Sequence, residues 1–264
     1  MKALTKYLKH RRDAITFILE KPKQAYIPAT FHKLRVEIKK LNAFFELINF
    51  CSKGFKRKET FKPFKFIFRK AGKVRELQVE EAMFKKYFLN NLLKDYKNSL
   101  KNLRLKERKY FFSILNKTFI ARLKKAYSKT LPFLAQINKK KGKHYMEKKK
   151  GKIEKLLNQS TVQTPNIHAL RMQLKKFNYA RNSMNLEKQN VPPSKKDVLP
   201  ELMGKWHDLQ VIIRHLKKAI DTYGINPKEV KQLEKIKAKF SSDSELLFNE
   251  INIAIPTSEF FPVV

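Results

Sequence analysis

Two stretches of this chain place histidine, arginine and paired lysines at matching offsets: FHKLRVEIKKLNAFF from Phe31 and IHALRMQLKKFNYAR from Ile167. Both read H-x-L-R-x-x-[I/L]-K-K-[L/F]-N, from His32 to Asn42 and from His168 to Asn178, 136 residues later. Arginine offers a planar fork that bonds two oxygens of one phosphate, lysine a mobile point charge, and histidine a donor whose charge follows pH. Such a mixture suits phosphate oxygens.

A helix is the element that would align them. At about 100° per residue, His32, Arg35, Lys39 and Asn42 fall within about 80° of one another, while Leu34, Ile38, Leu41 and Phe45 form a separate apolar stripe. His168, Arg171, Lys175 and Asn178 repeat the row, backed by Leu170, Leu174 and Phe177, and Lys40 and Lys176 sit toward its flank. Solvating a helix needs charge, but it does not need the same residue types at the same offsets twice.

A second pair of motifs follows, GKVRELQV from Gly72 and GKWHDLQV from Gly204, at intervals of 40 and 36 residues from the respective histidines. Val74 and Leu77 match Trp206 and Leu209 as core positions, and Gly72 matches Gly204 as a point where helices approach closely. Lys73, Arg75, Lys205 and His207 would extend the basic track, with Glu76 and Asp208 placed to orient a cation of the preceding motif. Two ordered matches predict an internal duplication.

The bulk composition agrees with a polyanionic partner. Of 264 residues 42% are hydrophobic, enough for a real core, yet 60 Lys+Arg against 23 Asp+Glu leave a formal charge of +37. Self-repulsion on that scale opposes a compact fold unless counter-anions are at hand, so nucleic acid, an anionic membrane surface and a phosphate polymer are the candidate partners. The single cysteine, Cys51, excludes an intramolecular disulfide and fits a reducing cytosol as a buried or capping residue. Charges interrupt every apolar run at the N-terminus, and no stretch approaches the ~20 apolar residues of a membrane span, so a soluble cytoplasmic protein is expected.

Helical periodicity dominates and only 6 glycines are present. Prolines taken as punctuation predict helices over 5–19, 30–51, 63–88, 92–127, 145–157, 165–186, 194–222 and 227–251. Pro28, Pro63, Pro165 and Pro227 are read as helix starts, and Leu131–Pro132 as a break or kink. Residues 138–152 form either a linker or an exposed basic helix end, and the apolar tail SEFFPVV is expected to dock on the core. Phe44, Phe45, Phe64, Phe68, Phe111 and Phe112 fall at core spacing.

These residues resemble those of the CHAD domain, the conserved-histidine α-helical domain. Its H-x-x-R-x-x-x-[K/R]-[K/R]-x-[R] motif is similar to His32, Arg35, Lys39, Lys40 and to His168, Arg171, Lys175, Lys176, and its L-G-x-x-x-D-x-x-V element to Met203–Val211 and, more loosely, Ala71–Val79. Asn42 and Asn178 stand where the family usually carries another Arg, and Glu76 replaces the usual Asp. The resemblance implies one all-α domain over 1–264, with halves 1–137 and 138–264 as two pseudo-symmetric antiparallel helical bundles around a basic central groove or pore. It also implies a stand-alone module that binds inorganic polyphosphate without cofactor or catalysis, with possible association with polyphosphate granules.

Nucleic-acid binding is the alternative, although zinc-finger spacing, RNP-like strands and an obvious helix-turn-helix are lacking. An enzyme reading would recruit His207–Asp208, similar to the metal-binding dipeptide of HD phosphohydrolases, with His168 and Asp221. Arg75–Glu76 at the equivalent place in the first half argues against it, because arginine does not ligate a divalent metal.

Overall fold

A computed structural model of the chain describes residues 2–87, 93–158, 164–184, 198–222 and 224–255. Among these residues the structure is all-α: α1 (Lys2–Leu19), α2 (Pro28–Cys51), α3 (Arg57–Tyr87), α4 (Lys94–Ser113), α5 (Lys117–Leu134), α6 (Lys139–Leu157), α7 (Thr164–Ser183), α8 (Val198–Thr222) and α9 (Pro227–Ala254), with a 3₁₀ turn at Lys23–Ala25.

The helices belong to two compact units. The first takes Met1–Arg75, Leu105–Lys152 and Lys175–Asn190; the second takes Glu76–Arg104, Ile153–Leu174 and Val191–Val264. In the first, α1 packs on α2 and α5, and α2 buries Leu34, Ile38, Leu41 and Phe45, the stripe expected from sequence, together with Phe31 and Ile48. Four phenylalanines of the expected core, Phe44, Phe45, Phe64 and Phe111, are fully buried; Phe68 and Phe112 are half-buried against it. Cys51 is buried in the same cluster, and burial pushes its thiol up to about 11, which favours the protonated form of a core residue. In the second unit α8 packs along α9, with Ile212, Leu216, Leu233 and Phe240 at its centre and Phe84, Tyr96 and Leu100 packed among them.

Helix starts follow capping chemistry. Asn116 Oδ1 accepts from Phe119 N at 2.8 Å at the head of α5, and Asn226 Oδ1 accepts from Lys228 N at 2.9 Å at the head of α9. Pro28, Pro165 and Pro227 lie in first turns as expected. Three expectations need correction. The helix foreseen over 92–127 is two, interrupted between Ser113 and Lys117. Pro63 lies inside α3, which begins at Arg57, and α5 runs through Pro132 to Leu134, so no break falls at Leu131–Pro132. Packing of Phe64, Ile67 and Leu134 into the core holds both helices through the missing N–H. Third, of the two readings of residues 138–152 the linker fails and the basic helix holds, but that helix is not wholly exposed: 139–152 lie in α6, where Tyr145, Lys149 and Ile153 recur every four residues on one buried face. The expected helix ends at Phe88, Leu92, Leu186 and Ser194, and the tail from Ser258, lie outside the described residues.

Candidate functional site

In the first unit α2 carries His32, Arg35 and Lys39 along one face, α3 supplies Arg75, and α7 supplies Lys175. His32 is exposed, and the others are partly buried. The His32 imidazole is held below its ordinary pKa, first by desolvation and then by the charges of Arg75, Lys39, Arg35 and Lys175. Every charged neighbour that perturbs it is a cation.

Arg35 is positioned from beneath. Its guanidinium carbon lies 4.4 Å from the centre of the Phe68 ring and its Nη1 donates to Phe68 O at 3.3 Å; Lys39 Nζ is 5.8 Å from the same ring. Gly72, one turn further along α3, is buried, and a Cβ there would collide with the Arg35 guanidinium. The close approach expected at Gly72 is therefore between a backbone and an arginine.

The second unit holds a smaller cluster. The His168 and His207 rings stack at 5.6 Å with an interplanar angle of 19°. His168 is also held below its ordinary pKa, by desolvation first, then His207, Arg171 and Arg214. Arg171 is only 9% exposed, unusual for this residue. At Gly204 a Cβ would meet nothing within 4 Å; the close approach expected there is not found.

The paired lysines divide the work. Lys39 and Lys175 act on His32, whereas Lys40 and Lys176 are anchored on acids. Lys40 Nζ donates to Glu37 Oε1 at 2.9 Å, and Glu37 also takes Arg11 at 2.5 Å. Lys176 lies 3.3 Å from Glu46, which is bonded to Lys149 and has its carboxyl held below the usual range by Lys149, Lys176 and Arg57 against the opposing effect of burial. Lys73 pairs with the half-buried Glu107 at 3.3 Å, and Lys205 with Glu201 at 2.8 Å on exposed surface, where such a pair is weak. Asp208 Oδ1 stands 3.4 Å from its own neighbour, His207 Nδ1, and Asn42 Oδ1 accepts from Arg57 at 2.9 Å.

Two residues of these clusters escaped the sequence reading. Arg214 lies seven residues after His207, two turns along the same face of α8, a spacing that could have revealed it. Phe68 falls at core spacing in the sequence, yet it is also the platform under Arg35 and Lys39. Among the described residues no group of three or more His, Cys, Asp and Glu is placed to hold a metal ion, and no helix is long and apolar enough to cross a membrane.

No family model matches the sequence, and no curated protein matches it. Solved structures do share its fold. The PptA protein from Streptomyces chartreusis is similar at a TM-score of 0.67 and 11% identity, over 95% of this chain and 98% of that one. The CHAD domain from the plant Ricinus communis superposes at a TM-score of 0.77 over 98% of this chain and 92% of its own, at 14% identity, so the chain has the fold of a CHAD domain.

Proposed function

We propose that the chain binds inorganic polyphosphate without transforming it, through the basic residues of two duplicated helical segments. The observation that carries this reading is the surrounding of His32: Arg35, Lys39, Arg75 and Lys175, from three helices, all press their charge on one imidazole. Gathering like charges costs free energy, and a phosphate chain that threads among them relieves the repulsion. The CHAD-like motif and the CHAD fold support the same ligand class.

His32, Arg35, Lys39, Arg75 and Lys175 form the principal contact set, and His168, Arg171, His207 and Arg214 a second one. Lys40, Lys73, Lys176 and Lys205 add to the field while holding their carboxylates. Each charge-assisted contact contributes roughly 1.5–3 kcal/mol before ordering costs. Counterion release then makes affinity fall steeply with salt.

Calorimetric titration with polyphosphate at several salt concentrations, with duplex DNA as competitor, tests the reading. Polyphosphate binding that resists excess DNA and weakens with salt is expected. Affinity indifferent to salt, or full displacement by DNA at matched ionic strength, overturns it in favour of a non-ionic or a general nucleic-acid mode.

A further inference from the structure

The first unit also contains a cavity of about 620 Å³ between α3 and α5, and none of its lining residues belongs to the cation clusters. Its floor is aromatic. Phe66 and Phe119 stand 6.0 Å apart at 53°, Phe55 and Phe133 5.2 Å apart at 62°, with Pro63 and Ala126 between the helices. Its rim is basic: Lys56 and Lys62 from one wall, Arg122, Lys125 and Lys129 from the other, the last three at the i, i+3, i+7 spacing of a single face. Glu59 is the acid among the lining residues, and it stands 3.8 Å from Lys56. Lys62, Arg122, Lys125 and Lys129 have no ion-pair partner among the described residues.

An apolar floor under unneutralised cations matches an anion with a hydrophobic body. An inorganic phosphate chain has no such body and would leave the rings wet. The volume falls within the range of small-ligand pockets. Tilted phenyl rings offer faces and edges to a flat aromatic ligand, and bases pack on such platforms in a sequence-tolerant way. We propose that this cavity binds a nucleotide, its base against Phe66 and Phe119 and its phosphate at Arg122, Lys125 and Lys129. The lining is poor in groups that could read base edges, so discrimination among bases is weak. The nucleotide is either free or part of a single strand.

The test uses the full chain with saturating tripolyphosphate, so that the clusters of the proposed function are occupied. Adenosine monophosphate, octyl phosphate and inorganic phosphate are titrated, followed by an oligothymidylate single strand. Adenosine monophosphate is expected to bind at least tenfold more tightly than the other two small probes. Phe66→Ala should weaken it about tenfold, and Arg122→Gln with Lys129→Gln by as much or more; Phe66 is 40% exposed, so its truncation leaves the core intact. Strand binding that shares the Phe66→Ala loss assigns the site to single-stranded nucleic acid, and strand binding indifferent to it assigns a free nucleotide. Octyl phosphate binding as tightly as the nucleotide, an unaffected Phe66→Ala variant, or loss of nucleotide binding in tripolyphosphate overturns the proposal. Arg35→Ala with Arg171→Ala should weaken tripolyphosphate binding about 100-fold or more and spare the nucleotide, which separates failure here from failure of the polyphosphate reading.

Discussion

His32 is pressed by Arg75, whereas at the matching place His168 stacks on His207; Arg35 lies over Phe68 and against Gly72, whereas the second copy has Pro200 and an uncrowded Gly204. The same motif therefore sits in two different electrostatic and steric settings. Lys40 finds its acid one turn away on its own helix, and Lys176 takes Glu46 of α2, because Gln173 replaces Glu37 in the second copy. The cations recur at matching offsets in the two segments, and the groups that support them do not. The first copy concentrates charge at an accessible imidazole, and the second buries its arginine and holds a pair of histidines.

Removal of the arginines should expose that difference most strongly. Arg35→Ala with Arg171→Ala deletes two charge-assisted contacts of roughly 1.5–3 kcal/mol each, a loss of about 100-fold or more in polyphosphate affinity by calorimetry. The single variants should diverge. Arg35→Ala is expected to reduce affinity with little change in urea stability. Arg171→Ala should lower both, because its side chain is nearly buried. Equal behaviour of the two singles in both measurements would mean that the settings do not matter.

The glycines sharpen the contrast. A methyl group at Gly72 meets the tip of a flexible side chain, so Gly72→Ala should push Arg35 from Phe68 and reduce affinity up to about tenfold while stability hardly changes. Gly204→Ala has room and removes a helix-weakening glycine, a gain of up to ~1 kcal/mol with affinity unchanged. Affinity and thermal unfolding measured on both variants decide it.

Protonation gives a smaller effect. His32 and His168 both titrate below 6.5 in the free protein, and a polyanion raises both. Binding therefore takes up protons: affinity is greatest below the depressed free-state values and falls as pH rises through the bound-state ones. The window thus begins lower than the ordinary histidine value suggests. His32→Gln and His168→Gln should each flatten the pH profile by a few-fold, His32→Gln more, since it has four cationic neighbours to relieve.

Helical class and the faces of α2 and α7 were legible because apolar spacing at 3.6 residues is a local property, and Leu34, Ile38 and Leu41 carry it without help. The cation row was legible because it occurs twice. Proline positions misled at Pro63 and Pro132, where core packing from other helices outweighs a lost hydrogen bond. The charged run at 139–152 concealed a buried stripe, since Lys149 enters the interior only by meeting Glu46, about a hundred residues earlier. For the same reason the anchoring of Lys40 by Glu37 could be read from spacing, and that of Lys176 by Glu46 could not.

A final contrast lies four residues beyond the acid of each downstream motif, where Glu80 stands in the first copy and Ile212 in the second, both fully buried. A buried carboxylate needs partners that a buried isoleucine does not. Glu80 is bonded to the Tyr96 hydroxyl and, at 2.7 Å, to His215 Nδ1. The hydrogen bond to Glu80 raises the His215 pKa, with burial opposing it and the charges of Glu80 and Glu76 adding to it against Arg214. A raised folded-state value means that the imidazolium stabilises the fold fully below the unfolded value near 6.5, and that this contribution is lost as pH rises through the folded value. His215→Gln keeps a neutral donor and removes the charge. It should therefore lower the melting temperature at pH 5.5, by about 2–4 °C if the charged bond contributes about 1 kcal/mol, and by less at pH 9, since that contribution is lost as pH rises through the raised folded-state value. An equal loss at both pH values would mean that Glu80 requires only a hydrogen-bond donor, and that the buried acid of the first copy is met by geometry without charge.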